Sequence, residues 1–145
     1  MKSRVARAIT VMCEKTREMD QLFYDGTRSY SVDAIHEYIN TTQPPIVRMP
    51  VSELEHNLLE NCWDVHFTPM ELINQYEKTG PWSDVTGHMG RVMLANLAYP
   101  IVVIGSHPCF VVDGMHRLSK AVLNKHVFIT AHVLDDETMK RFVIS

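Results

Sequence analysis

Asp113, Gly114, Met115, His116 and Arg117 place a carboxylate, a residue without Cβ, an imidazole and a guanidinium within one turn of chain. Residue types in this order suit the capture of an anion, above all a phosphate. Upstream, Phe110 to Val112 is apolar and largely β-branched; downstream, Leu118, Ala121 and Val122 recur at helical spacing, so a buried strand passes into an amphipathic helix within two residues. The first N–H groups of such a helix lack intrahelical acceptors and stand at the positive end of its macrodipole. Gly114 lets backbone approach a ligand closely. His116 and Arg117 add donors of variable and of permanent charge, and Lys120 extends the same basic face by one turn. Asp-Gly between apolar runs is also a hairpin signal, but the helical period after Gly114 argues for a strand-to-helix junction. The plainer reading makes Asp113 a helix cap and leaves His116 and Arg117 as surface residues.

The elements that must position this turn are legible as patterns. Val5, Ala8, Ile9, Met12, Thr16, Met19 and Phe23 share one side of a 3.6-residue period, which predicts an amphipathic first helix over residues 5–23, ended by Asp25-Gly26. Ser31 is expected to cap a shorter helix to Ile39. After Pro44-Pro45, residues 46–51 read as a strand that Pro50 confines to an edge or an end, followed by a turn-rich segment to Glu60. Thr68, Pro69 and Glu71 have the chemistry of a capping box at the start of a helix that Gly80-Pro81 terminates. Residues 83–98 predict a helix weakened by Gly87 and Gly90. Residues 100–104, 110–112 and 127–133 predict three strands, with the helix from His116 crossing between the last two, and Asp135 is expected to cap a final short helix.

The composition narrows the function. A chain of 145 residues that is 46% hydrophobic and 21% charged fits one ordinary domain, and its apolar runs are too short to span a bilayer. The N-terminal region is broken by charges, unlike a signal peptide, so a cytoplasmic location is expected. Cys13, Cys62 and Cys109 suit neither a disulfide framework nor a zinc pattern, and the eight histidines lack metal-ligand spacing, so no metal site is assigned. A net charge of −3 gives no global field for nucleic acid, which confines any DNA contact to a local patch.

Residues 46–134, with Met49-Pro50-Val51-Ser52-Glu53-Leu54 at their start and the Asp113-Gly114-Met115-His116-Arg117 turn near their end, resemble the ParB/sulfiredoxin superfamily. The resemblance implies an α+β fold, a small mixed sheet with surrounding helices, over residues 46–145, and leaves 1–45 as an N-terminal helical extension. It also implies a nucleoside di- or triphosphate, ATP or CTP, held with Mg²⁺ by Asp113, Gly114, Met115, His116, Arg117 and Lys120. Sulfiredoxins carry a nucleophilic Cys where this chain has Met115, a thioether that forms no thiolate, so sulfinic acid repair is not expected. ParB clamps resemble the chain in this turn but continue into a helix-turn-helix region, and with the sequence ending at Ser145 a full clamp is not expected. Free serine kinases of the superfamily use an upstream carboxylate as base, and by position the candidates are Glu60, then Asp64, then Glu55.

Two functions are expected on these grounds. In the first, a phosphotransferase or nucleotide hydrolase, the turn cradles phosphate, His116 donates to a phosphoryl oxygen, Asp113 holds Mg²⁺ or orients Arg117, and Glu60 or Asp64 activates the acceptor. In the second, a DNA- or protein-binding module, such as a phage or mobile-element accessory protein, uses the same fold without turnover and assembles with itself or a partner through the N-terminal helix.

Overall fold

The computed structural model describes residues 10–12, 19–80, 86–106 and 108–144. Among them, seven strands and five helices form a mixed α+β architecture with two small sheets. The larger sheet contains β4 (Val47–Pro50), β5 (Ile101–Ile104), β6 (Phe110–Asp113) and β7 (Phe128–Leu134), in the order β4-β7-β5-β6. β7 runs parallel to β5 and antiparallel to β4, and β5 runs antiparallel to β6. Helix α4 (Met115–Leu123) leads out of β6 and returns the chain to β7, on the far side of β5.

Strand alternation divides the core between the two faces of this sheet. Ile101 and Val103 of β5 join Val111, Leu118 and Ala121 beneath α4. Val102 and Ile104 point the other way, into a cluster with Val32, Ile35 and Ile39 of α1 (Val32–Thr42) and with Met139 and Phe142 near the C-terminus. A strand covered on both faces has no solvent side, which is why β5 reads as an unbroken apolar run. Pro50 ends the outer strand β4, where the missing N–H breaks no ladder.

Local signals account for the helix ends. Ser31 Oγ accepts from Ala34 N to start α1. At α2 (Pro69–Thr79), Thr68 Oγ1 accepts from Glu71 N and a Glu71 carboxylate oxygen accepts from Thr68 N, so both halves of the capping box are made. Asp135 Oδ1 accepts from Thr138 N at α5 (Asp136–Met139). The helix expected over residues 83–98 is shorter, α3 (His88–Leu94), starting from a left-handed Gly87, while residues 81–85 lie outside the described residues.

The N-terminal region differs from the helix expected over residues 5–23. β1 (Thr10–Met12), β2 (Met19–Tyr24) and β3 (Ser29–Ser31) form a second, antiparallel sheet in the order β1-β2-β3. Residues 5–9 and 13–18, the rest of that expected helix, lie outside the described residues. Turn chemistry decides the outcome. Asp25 Oδ1 accepts from Thr27 N and Arg28 N, its Oδ2 accepts from Tyr30 Oη, and the left-handed Gly26 reverses the chain. Phe23 is buried in the sheet's second cluster while Leu22 and Tyr24 are half-buried, a period of two that the 3.6-residue reading of the same apolar residues obscured. Among the described residues no helix is long and apolar enough to cross a membrane.

Candidate functional site

The strand-to-helix junction forms where the sequence puts it, with Gly114 as the N-cap of α4 at φ 116°. Glycine is required there for two reasons. Its backbone is left-handed, and a Cβ would fall 2.7 Å from Ile101 Cβ. The space a side chain would need is core, which gives this glycine a packing cause. No side chain caps α4. Asp113 therefore does not act as its cap.

Asp113 instead gathers a guanidinium and an imidazole. Its Oδ2 accepts from Arg117 Nη2 at 3.4 Å and lies 2.9 Å from His36 Nε2 on α1. Burial pushes the Asp113 carboxyl up, but the His36 hydrogen bond and the Arg117 charge outweigh it and hold the group below its usual range. The same hydrogen bond raises His36 against the opposing effect of burial. A Mg²⁺ bound directly to Asp113 would have to compete with both partners, so of the two roles expected for this residue the geometry fits the orientation of Arg117.

Arg117 and Lys120 are not the open basic face that their spacing suggests. Arg117 Nη1 donates to the carbonyls of Pro100 at 2.8 Å and Tyr99 at 3.3 Å, and its side chain is only 20% exposed. Lys120 Nζ donates to the carbonyls of Met93 and Ala95 at 2.9 and 2.7 Å, satisfying orphan acceptors at the C-terminal end of α3. Both long side chains fold back onto backbone and pin residues 93–100 against α4. Met115 packs against the core beneath α4, and its carbonyl accepts from Ser119 Oγ at 2.7 Å.

His116 enters a ring cluster. Its ring lies 4.7 Å and 12° from the Trp63 indole, and the His88 ring lies 4.3 Å and 8° from the same indole. The two imidazoles are 5.1 Å apart and 16° from coplanar, with His88 Nδ1 and His116 Nε2 separated by 2.8 Å. Those values make them edge-to-edge neighbours tiled over one indole. Arg91 Nη1 sits 3.2 Å from His88 Nδ1. Burial, then the proximity of His88 and Arg91, pushes the His116 imidazolium down to a pKa of about 4. His116 is therefore neutral at neutral pH, not a carrier of variable charge.

A cavity of about 160 Å³ opens at this junction, lined by Gln21, Cys62, Trp63 and the residues from Val112 to Arg117. The segment that carries the expected carboxylates does reach it, but through Cys62 and Trp63. Glu60 is half-buried and its carbonyl accepts from Cys62 N, Asp64 is exposed in a left-handed turn at φ 54°, and Glu55 is exposed; none of the three lines the cavity. A larger concavity of about 540 Å³ runs along α2 from His66 to Lys78, and its lining comes from that helix and the residues just before it, so no second element converges there. Among the described residues no group of three or more metal-ligating side chains comes together. His36, Trp63, His88 and Arg91 escaped the sequence reading, since nothing local marks a residue whose partner is distant in the chain.

Compared with models of protein families, with curated proteins and with solved structures, the chain matches none.

Proposed function

We propose that this chain binds a phosphate-bearing nucleotide, ATP or CTP or a corresponding diphosphate, at the Asp113–Arg117 turn, and that residues 46–134 are a ParB/sulfiredoxin-like domain. One observation carries the reading: the N-terminus of α4, free of any side-chain cap, opens onto the cavity that Met115, His116 and Arg117 line. Orphan N–H groups at the positive end of a helix attract an anion, and the Arg117 guanidinium lines the same cavity. The cavity, about 160 Å³ in volume, has room for several water molecules and so for a phosphate group. Magnesium would arrive on the phosphates, as it usually does in nucleotide sites.

A second reading, nucleotide sensing or another binding role without turnover, is favoured by the cavity lining, whose one carboxylate, Asp113, is already shared by Arg117 and His36. Calorimetry with ATP, ADP, CTP, GTP and pyrophosphate, with and without Mg²⁺, tests the shared claim, and phosphate release separates the two readings. At least one nucleotide is expected to bind in competition with pyrophosphate. Absence of heat with every member of the panel overturns the phosphate site. Binding without release supports the second reading.

A further inference from the structure

We propose that His116 is a hydrogen-bond acceptor of the cavity, fixed with its proton on Nε2 and its lone pair on Nδ1 by the positioning residues His88 and Arg91. It follows that the molecule held there presents a hydroxyl or amine donor beside its phosphate; this second clause rests on the phosphate-site reading, and the first does not.

The assignment comes from donor and acceptor chemistry. A guanidinium has five N–H donors and no lone pair. Arg91 Nη1, 3.2 Å from His88 Nδ1, can only donate, so a proton on that nitrogen would set two hydrogens against each other. His88 Nδ1 is therefore the acceptor. The same atom lies 2.8 Å from His116 Nε2, so the proton of that contact belongs to His116. A neutral imidazole has one N–H, which leaves the lone pair on His116 Nδ1.

The surroundings lock this state. Both imidazoles lie flat on Trp63, so neither ring can flip without giving up stacking or the bond between them. The charged and titratable groups around His116 are His88 and Arg91 from α3, Arg117 from α4 and Asp113 from β6; the first three oppose a second proton and Asp113 favours one. Burial adds to the opposition. His116 lines the cavity, and with Nε2 given to His88 its remaining ring nitrogen can only accept. An acceptor pairs with O–H or N–H and has no proton for a phosphate oxygen. The expected donation from His116 to a phosphoryl oxygen is thereby replaced by a division of labour: backbone amides take the phosphate, and His116 takes a neighbouring donor.

Long-range ¹H–¹⁵N correlation spectra of the uniformly labelled protein at neutral pH read the tautomer directly. His116 should show a protonated Nε2 and an unprotonated Nδ1. His88→Asn, which keeps an acceptor oxygen near the place of Nδ1, should preserve that pattern, while His88→Ala should let both tautomers appear. Arg91→Met alters an exposed residue and removes the donor that keeps His88 Nδ1 bare, so it too should yield a mixture. A wild-type His116 protonated on Nδ1 or on both nitrogens overturns the proposal, as does an unchanged pattern in both His88→Ala and Arg91→Met. In the same samples ATP or CTP should move the His116 Nδ1 resonance and pyrophosphate should not; an equal response to pyrophosphate overturns the second clause. If neither nucleotides nor pyrophosphate move the Met115 to Arg117 amides, the phosphate reading fails while the tautomer assignment stands.

Discussion

His36 Nε2 lies 2.9 Å from Asp113 Oδ2, joining α1 to the end of β6 across 77 positions of sequence. The contact ties the N-terminal segment to the candidate site, because the same carboxylate oxygen also receives Arg117. A helix that packs Val32, Ile35 and Ile39 on one face of the sheet thus contributes an imidazole to the turn at that sheet's end.

Stability should register this pair with a definite sign. His36 is raised in the folded state, so its contribution is fully present below the unfolded value of about 6.5 and is lost as pH rises through the folded value. Asp113 is lowered, so its contribution is present above about 3.9 and is lost as pH falls through the folded value. With the His36 side chain 44% exposed, screening limits the effect to roughly a few tenths to 1 kcal/mol. Urea unfolding of wild type and His36→Gln between about pH 6 and 8.5 should give curves that diverge on the acid side and converge on the alkaline side; a constant offset would contradict the linkage.

Gly114→Ala should be among the most damaging conservative changes in the chain. The left-handed backbone costs an alanine roughly 1–2 kcal/mol and intrusion on Ile101 about 1–3 kcal/mol more. A loss of about 2–5 kcal/mol in denaturant unfolding is expected, whether or not any ligand is present. A variant as stable as wild type would show that the turn can relax away from Ile101.

Asn57 is buried at 1% exposure and acts as a substitute strand for β6. Its Nδ2 donates to the carbonyls of Leu54 and Cys109 at 3.0 and 3.1 Å, and its Oδ1 accepts from Val111 N at 3.1 Å. The groups satisfied on Cys109 and Val111 belong to the outer edge of the sheet. Asn57→Ala would leave those buried groups unpaired, and a loss of about 2–4 kcal/mol is expected. Amide exchange at Val111 checks the mechanism: its protection should fall more than that of Val103, whose strand is paired on both sides.

Much of the fold was readable because its signals are local. Thr68 with Glu71, Asp135, Ser31 and the Pro50 edge each announce themselves within four residues, and the strand, turn and helix around Gly114 do so within about fifteen. The N-terminal hairpin was not readable in the same way, since its apolar residues satisfy both a helical and a strand period and Asp25 resolves the ambiguity only through the turn it builds. The chemistry of the site was legible in its residue types and not in their occupations. Arg117 and Lys120 are long enough to reach carbonyls at Pro100 and Ala95, and spacing along α4 cannot say whether such a side chain ends in solvent or on backbone. His88 is 28 positions from His116, so the pairing that sets the proton on His116 exists only in three dimensions.

Acid should act on the protein through His116, with the opposite sign to His36. Its folded pKa is lowered to about 4 against about 6.5 unfolded, so the unfolded chain binds more protons between those values and stability rises with pH across that window. The contribution is complete above about 6.5 and is lost as pH falls towards 4. Converted directly, the shift corresponds to at most about 3 kcal/mol, and partial solvent access reduces it. His116→Phe keeps an aromatic ring for Trp63 and removes the titration, so its stability between about pH 4.5 and 6.5 should change less steeply than that of wild type, whatever its absolute stability. His36 is charged in both states across most of this window and leaves the difference between the two slopes unaltered. Equal slopes for wild type and His116→Phe would mean that His116 takes up its proton in the folded protein as readily as in the unfolded chain, and that the Trp63 stack and its cations do not hold it neutral.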